Sequence, residues 1–201
     1  MSIKQSIKQI PLVEEFLKKR AVTRWIRKGY PPGSHYLKQM TVLYYAVTHH
    51  LEVLIETGTF RGDMVWAQKD YFKRIYSIEL SKNLYEKVTR RFRGMDHVEL
   101  LQGDSSDRLK DVVNQLNTAA LFWLDGHYSE GMTDKGDKNC PVLSELTGIF
   151  KSPYRHVILI DDARLFVGKD DYPTIEELST FVSRHSKYNL KIENDIIILT
   201  Q

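Results

Sequence analysis

The spacing of apolar residues along the chain changes near residue 51. Before it, Leu12, Val13, Phe16, Leu17, Val22, Trp25 and Ile26 recur at helical intervals and predict a helix over 11–28. Gly29 and Pro31-Pro32 end that helix. Ser34 is placed to cap a second helix, 35–50, with Tyr36, Leu37, Met40, Leu43, Tyr44 and Val47 along one side. From residue 51 onward, short apolar runs alternate with amphipathic stretches. The runs predict strands at 51–56, 73–79, 97–102, 119–125, 156–161, 188–193 and 196–200. Helices are expected at 62–71, 81–93, 105–116, 140–150 and 173–186. Such alternation with short connections builds a parallel sheet covered by helices on both faces. Only Asn194-Asp195 separates the last two strands, which makes a hairpin and turns one of them antiparallel. The expected architecture is α/β, a doubly wound sheet of seven strands (51–201) preceded by a helical cap (1–50).

Composition changes this picture little. The chain has 201 residues, 42% hydrophobic and 27% charged, which suits one globular domain with a sizeable core. No apolar run approaches the roughly 18 residues of a membrane span. The N-terminus has no apolar signal core, and a single cysteine, Cys140, excludes an internal disulfide, so a cytoplasmic protein is expected. Cys140 opens a helix, has no obvious histidine partner and reads as a packed thiol. Charge is uneven. Residues 1–50 carry nine Lys/Arg against two Glu, or +7, which leaves −4 for the remainder of a chain whose total is +3. That basic face is either solvated or in weak peripheral contact with an acidic membrane surface or polyanion, and the apolar N-terminal helices could join copies into a homo-oligomer.

Ligands of open α/β sheets lie beyond the C-terminal ends of the strands, and here those ends carry acids. The first strand ends in Glu56 and a glycine loop, Gly58-Thr59-Phe60-Arg61-Gly62; the second in Glu79-Leu80; the third in Gly103-Asp104-Ser105; the fourth in Asp125-Gly126-His127; the fifth in Asp161-Asp162. The loop is not G-x-G-x-x-G, and no P-loop lysine is present to neutralise phosphates. Glu79, about twenty residues past the loop, is placed for ribose hydroxyls, and Asp104 for an adenine amino group. A positively charged nucleoside fits better than a dinucleotide. Gly58 and Gly62 could instead be a tight turn alone, and Ser105 a helix cap alone.

ETGTFRG, IELS, GDSSD, LDGH and LIDDAR, in this order, resemble the motifs of class I S-adenosylmethionine-dependent methyltransferases over roughly residues 50–200. The resemblance implies strand order 3-2-1-4-5-7-6. It also implies a loop from Glu56 to Gly62, with Thr59 and Phe60, that holds the methionine part of the cofactor. Glu79 and Leu80 would meet the ribose, Asp104 and Ser105 the adenine, and Asp125 the far side of the cofactor.

Three carboxylates on adjacent strand ends, Asp125, Asp161 and Asp162, repel one another unless a cation relieves them, and Mg²⁺ or another hard divalent ion would do so. This set is similar to the metal-dependent sugar O-methyltransferases of the macrocin type, which commonly carry Asp-Gly-Asp where this chain has Asp125-Gly126-His127. His127 is thereby a candidate base, a candidate ligand, or a hydrogen-bonding residue of the long polar segment 126–139. Asp162 could pair with Arg164 and never touch metal, while Tyr128 and Arg164 are weak candidates for substrate contact. The runs after the fourth and fifth strands also resemble bacterial methyltransferase-like proteins of polysaccharide or secondary-metabolite pathways. The expected activity is methyl transfer to a hydroxyl of a small-molecule or glycan acceptor, catalysed by His127 and Asp125. The alternatives are a NAD-type oxidoreductase, which would want G-x-G-x-x-G, and a nucleic-acid methyltransferase. The latter would want Asn/Asp-Pro-Pro-Tyr/Phe after the fourth strand, so no nucleic-acid partner is expected.

Overall fold

The computed structural model describes residues 34–126 and 140–201, together with Arg20, Thr23, Arg24 and Arg27. Those four are helical and exposed, in keeping with a helix over 11–28. Seven strands form one sheet: β1 Val53–Thr57, β2 Arg74–Glu79, β3 Val98–Gln102, β4 Leu121–Leu124, β5 Val157–Ile160, β6 Asn189–Glu193 and β7 Ile196–Thr200. Their spatial order is β3-β2-β1-β4-β5-β7-β6, as the sequence motifs imply. Strands β1 to β5 pair in parallel, and β7 runs antiparallel to both β5 and β6. Asn194 and Asp195 make the hairpin turn at φ of 52° and 66°, the left-handed pair that a two-residue turn of right-twisting strands requires.

Helices α1 His35–Thr48, α2 Asp63–Gln68, α3 Lys82–Arg91, α4 Ser105–Gln115, α5 Val142–Ile149 and α6 Ile175–His185 cover the sheet, with a 3-10 turn at Ala163–Leu165. Alternation along the strands sorts the core into two layers. Ile55, Ile78, Phe122, Leu124, Ile158, Ile160, Ile197 and Leu199 point to the side packed by Leu109 and Val112 of α4, Leu146 and Ile149 of α5, and Leu178 and Val182 of α6. Leu54, Ile75, Leu121, Trp123, Val157, Leu159, Ile196 and Ile198 point to the other, packed by Val42, Tyr45 and Ala46 of α1, Met64 and Val65 of α2, and Val88 of α3.

Helix α1 turns a different side to the sheet than its apolar spacing suggests. Gln39, Val42, Tyr45 and Ala46 are buried, whereas Met40, Tyr44 and Val47 of the expected apolar side are 52%, 62% and 65% exposed. The helix is apolar around most of its circumference, so periodicity alone selects no face, and polar contacts decide. The Gln39 amide donates to the Asp63 carbonyl at 3.2 Å, and the Gln68 amide donates to the Gln39 carbonyl at 2.8 Å, which locks α1 to α2. Lys38 precedes the buried stripe by one turn, at i−4 from Val42. It therefore overhangs the C-terminal edge of the sheet.

Candidate active site at the carboxyl edge of the sheet

The strand order reverses between β1 and β4, and the loops after these strands touch there. Asp125 N–H donates to the Thr57 carbonyl at 3.1 Å. Gly58 sits at φ +83°, and a Cβ on it would lie 2.3 Å from the Asp125 carbonyl oxygen, so only glycine fits. The N–H groups of Gly58 and Thr59 both donate to the Ile78 carbonyl, at 3.0 and 3.1 Å, which ties the loop to β2. Gly62, at φ +70°, opens α2, and a Cβ there would meet the Phe92 ring at 2.6 Å.

Two buried glutamates organise this half of the edge. Glu79 accepts from Phe60 N–H at 2.7 Å and from Ser81 N–H at 2.8 Å, so one carboxylate bridges the glycine loop and the loop after β2. Glu56 lies behind the loop and accepts from the Ser77 hydroxyl. The Thr59 and Ser77 hydroxyls share a hydrogen bond at 2.6 Å. Burial pushes the Glu56 carboxyl up to about 8, eased by the Ser77 bond and raised further by the charges of Glu79 and Asp63. Glu56 is thus largely neutral near pH 7. Leu80 is partly exposed beside the loop, and its carbonyl accepts from Gln102 at 3.0 Å. Asp104 caps α4 by accepting from Ser106 N–H at 2.7 Å, so the cap belongs to Asp104 and not to Ser105.

Ser105 faces a residue that sequence reasoning missed. Glu145 of α5 is buried beneath the loop after β4. A Cβ on Gly126 would come within 3.4 Å of its Oε1 and 3.1 Å of the Thr57 hydroxyl. Both of those oxygens are buried without a well-formed hydrogen bond. Burial lifts the Glu145 carboxyl to about 7, and the Ser105 and Thr57 hydroxyls hold it from rising higher. A glutamate at a helical apolar position, between Leu143 and Leu146, was the available signal.

Across the cleft, Asp125, Asp161 and Asp162 lie close enough to feel one another's charge, and among the described residues Lys38 lies beside them. Its ammonium pairs with Asp161 Oδ2 and with Asp162 Oδ1, the latter at 3.1 Å. Arg164 reaches the same Asp162 oxygen at 2.7 Å and also pairs with Asp195. The other Asp161 oxygen accepts Asp162 N–H at 2.8 Å. Burial and the Asp161 charge put Asp125 well above the usual carboxylate range, with Lys38 pulling it down. Burial raises Asp161 to about 6 against the pull of Lys38. Burial would raise Asp162 too, but its bond to Arg164 and the Lys38 charge outweigh it and hold Asp162 low. His127 and Tyr128 lie outside the described residues.

Among solved structures, the O-methyltransferase from Bacillus cereus in complex with SAH has a TM-score of 0.62 at 12% identity, over 98% of this chain and 96% of that one. The methyltransferase PaMTH1 of Podospora anserina, bound to SAH, has a TM-score of 0.60 at 15% identity, over 88% and 84%. TomG of Streptomyces achromogenes, an O-methyltransferase involved in tomaymycin synthesis and complexed with SAM, has a TM-score of 0.59 at 16% identity, over 90% and 87%. The fold is that of the class I methyltransferases. No protein-family model matches the chain, and no curated protein matches it.

The expected divalent-metal site does not fit the residues present. Mg²⁺ wants carboxylate and water oxygens at short range, and Lys38 and Arg164 already engage those of Asp161 and Asp162. Among the described residues, no group of three His, Cys, Asp or Glu side chains is arranged to hold an ion. Arg164, expected as a substrate contact, pairs with Asp162 and Asp195 instead. The Cys140 thiol is buried and pushed up to about 12, as a packed thiol should be. No described helix is long and apolar enough to cross a membrane.

Proposed function

We propose that this protein is an S-adenosylmethionine-dependent O-methyltransferase whose acceptor is a hydroxyl on a sugar, a polysaccharide precursor or a secondary metabolite. The observation that carries the reading is the glycine loop, wedged by Gly58 against the Asp125 carbonyl and bridged by Glu79, opposite a second polar wall on β4 and β5. The likeness to methyltransferases solved with SAM or SAH supports the same donor.

When bound, S-adenosylmethionine supplies a methyl group already activated by a sulfonium, so the protein's task is alignment more than activation. Glu79 fixes Phe60 and Ser81 and keeps acceptor capacity for ribose hydroxyls. Glu56, whose carboxyl burial raises to about 8, can ionise against a cationic ligand. Asp104 and Ser105 border the adenine end. His127, two residues beyond Asp125, would take the proton of the acceptor hydroxyl as the methyl group is transferred to it. The finer expectation of Mg²⁺ on Asp125, Asp161 and Asp162 does not enter this reading, because side-chain cations engage that wall.

Calorimetric titration with S-adenosylmethionine and NAD tests the donor. Saturable binding of the first alone is expected, and binding of NAD alone would overturn the reading. Labelled methyl transfer to a panel of sugars and phenols then reports the acceptor class.

A further inference from the structure

We propose that Glu145 is a positioning residue whose buried carboxyl sets the loop after β4 against the end of β1 and the head of α4. It thereby shapes the donor site from beneath. That the site takes a methyl donor rests on the methyltransferase reading, whereas the positioning rests on geometry.

Glu145 occupies an apolar position. Val142, Leu146 and Ile149 of α5 pack into the core layer shared with α4, and Glu145 lies on the same buried stripe with 2% of its surface exposed. An apolar side chain is the ordinary occupant of such a place. Three segments meet the carboxyl instead. Thr57 ends β1 and Ser105 opens α4, and both hydroxyls act on it. The third is the loop after β4, where a Cβ on Gly126 would lie 3.4 Å from Glu145 Oε1. Each contact is the chain neighbour of a residue expected at the donor site: Gly58, Asp104 and Asp125 respectively.

The placement costs stability. Glu145 Oε1 and the Thr57 hydroxyl are buried without a well-formed hydrogen bond, and a buried polar atom in that state opposes folding. Groups held at such a cost cluster at functional sites. The helix gains little in return. A carboxylate in the first turn of α5 would favour the helix dipole, but burial lifts this carboxyl to about 7, so near neutrality much of it carries no charge. The loop lies so close on these two oxygens that a Cβ at 126 would crowd the Thr57 hydroxyl at 3.1 Å. A shift of the carboxyl is therefore felt by Asp125, and through it by the carbonyl against which Gly58 is wedged.

The test compares the native chain with Glu145→Gln, which keeps the shape and polarity of a neutral carboxyl, and with Glu145→Met, which keeps its length and removes its oxygens. Three quantities are read in parallel: the urea midpoint, calorimetric binding of S-adenosylmethionine and S-adenosylhomocysteine, and hydrogen exchange of the Asp125 amide, which donates to the Thr57 carbonyl. Glu145→Met should unfold at a urea midpoint no lower than native, because it removes a buried unpaired oxygen. Exchange of the Asp125 amide should nevertheless quicken about tenfold, and affinity for both ligands should fall about tenfold. Glu145→Gln should keep both near native. A merely structural glutamate behaves in the opposite way: Glu145→Met would then unfold earlier, and that result overturns the proposal. So does a Glu145→Met whose exchange or affinity stays native, or a Glu145→Gln no better than Glu145→Met. A native chain that binds neither ligand would overturn the methyl-donor reading instead, and the Asp125 amide would still decide whether Glu145 positions the loop.

Discussion

Glu56 and Glu79, at the ends of β1 and β2, are held by hydroxyls and backbone N–H groups, whereas Asp161 and Asp162, at the end of β5, are held by the side-chain cations Lys38 and Arg164. The first arrangement is local: its donors come from β2 and from the loops that follow β1 and β2, and it is complete once the sheet forms. The second is assembled at long range, from a helix that precedes the sheet and a hairpin that ends it. A loop built on backbone donors is rigid and suits one constant ligand. Variants that damage one half and spare the other therefore sharpen the contrast.

The largest effect is expected at the seam of the two halves. Gly58→Ala places a Cβ against the Asp125 carbonyl at a φ that alanine disfavours, and backbone cannot retreat as a side-chain tip can. A loss of about 3 kcal/mol of stability and no measurable binding of S-adenosylmethionine should follow, read by urea unfolding and calorimetry. Normal binding would show that the loop is not part of the donor site.

Next comes the cation wall. Asp161→Asn leaves the Lys38 ammonium with one carboxylate, and Lys38→Met leaves the carboxylates without it; each should cost roughly 3 kcal/mol. Because the two groups pair directly, the double variant should cost less than the sum by about 1–3 kcal/mol in a double-mutant cycle. Additive losses would mean that the pair contributes nothing specific. Binding of S-adenosylmethionine should change little in any of the three, which separates this wall from the glycine loop.

The sheet was legible in the sequence because it is written locally. Strand and helix periods, the Asn194-Asp195 turn and the acid at each strand end need only neighbouring residues to be read. The convergence of Asp125, Asp161 and Asp162 followed from topology. What occupies the space between them did not, because Lys38 sits in a helix whose apolar spacing favours another face, and a lysine beside Gln39 reads as solvated surface. Glu145 escaped for the related reason that a polar residue on a buried stripe looks like noise until its partners, Thr57 and Ser105, are brought to it by strands far away in the chain. Arg164 was placed correctly at the site, but its role was set by Asp195, the second residue of the hairpin turn.

A pH series distinguishes the halves by sign. The folded-state value of Glu56, about 8, lies above its ordinary 4.5. Its contribution to stability is therefore complete below about pH 4.5 and is lost as pH rises through about 8. Between pH 6 and 9 the native chain should lose about 2 kcal/mol from this group. Glu145, raised to about 7, adds a slope of the same sign that is complete at lower pH. Glu56→Gln should flatten the upper part of the profile, measured as urea midpoints. An unchanged slope would mean that Glu56 ionises freely in the folded chain.

The smallest effect, and the most discriminating, is expected from Glu79→Gln. The carboxylate accepts from Phe60 N–H with one oxygen and from Ser81 N–H with the other. An amide offers one oxygen and one NH₂, so whichever way it turns, a donor faces a donor. The fold should survive, since the bonds of Gly58 and Thr59 N–H to the Ile78 carbonyl still tie the loop to β2. The bridge between the two donor-side loops should not. S-adenosylmethionine affinity should fall about tenfold, or roughly 1.4 kcal/mol, while the coupling of Lys38 to Asp161 in the double-mutant cycle stays as it is in the Glu79 background. A change in that coupling would show that the halves are linked through the sheet edge, and the contrast between them would then be one of chemistry but not of independence.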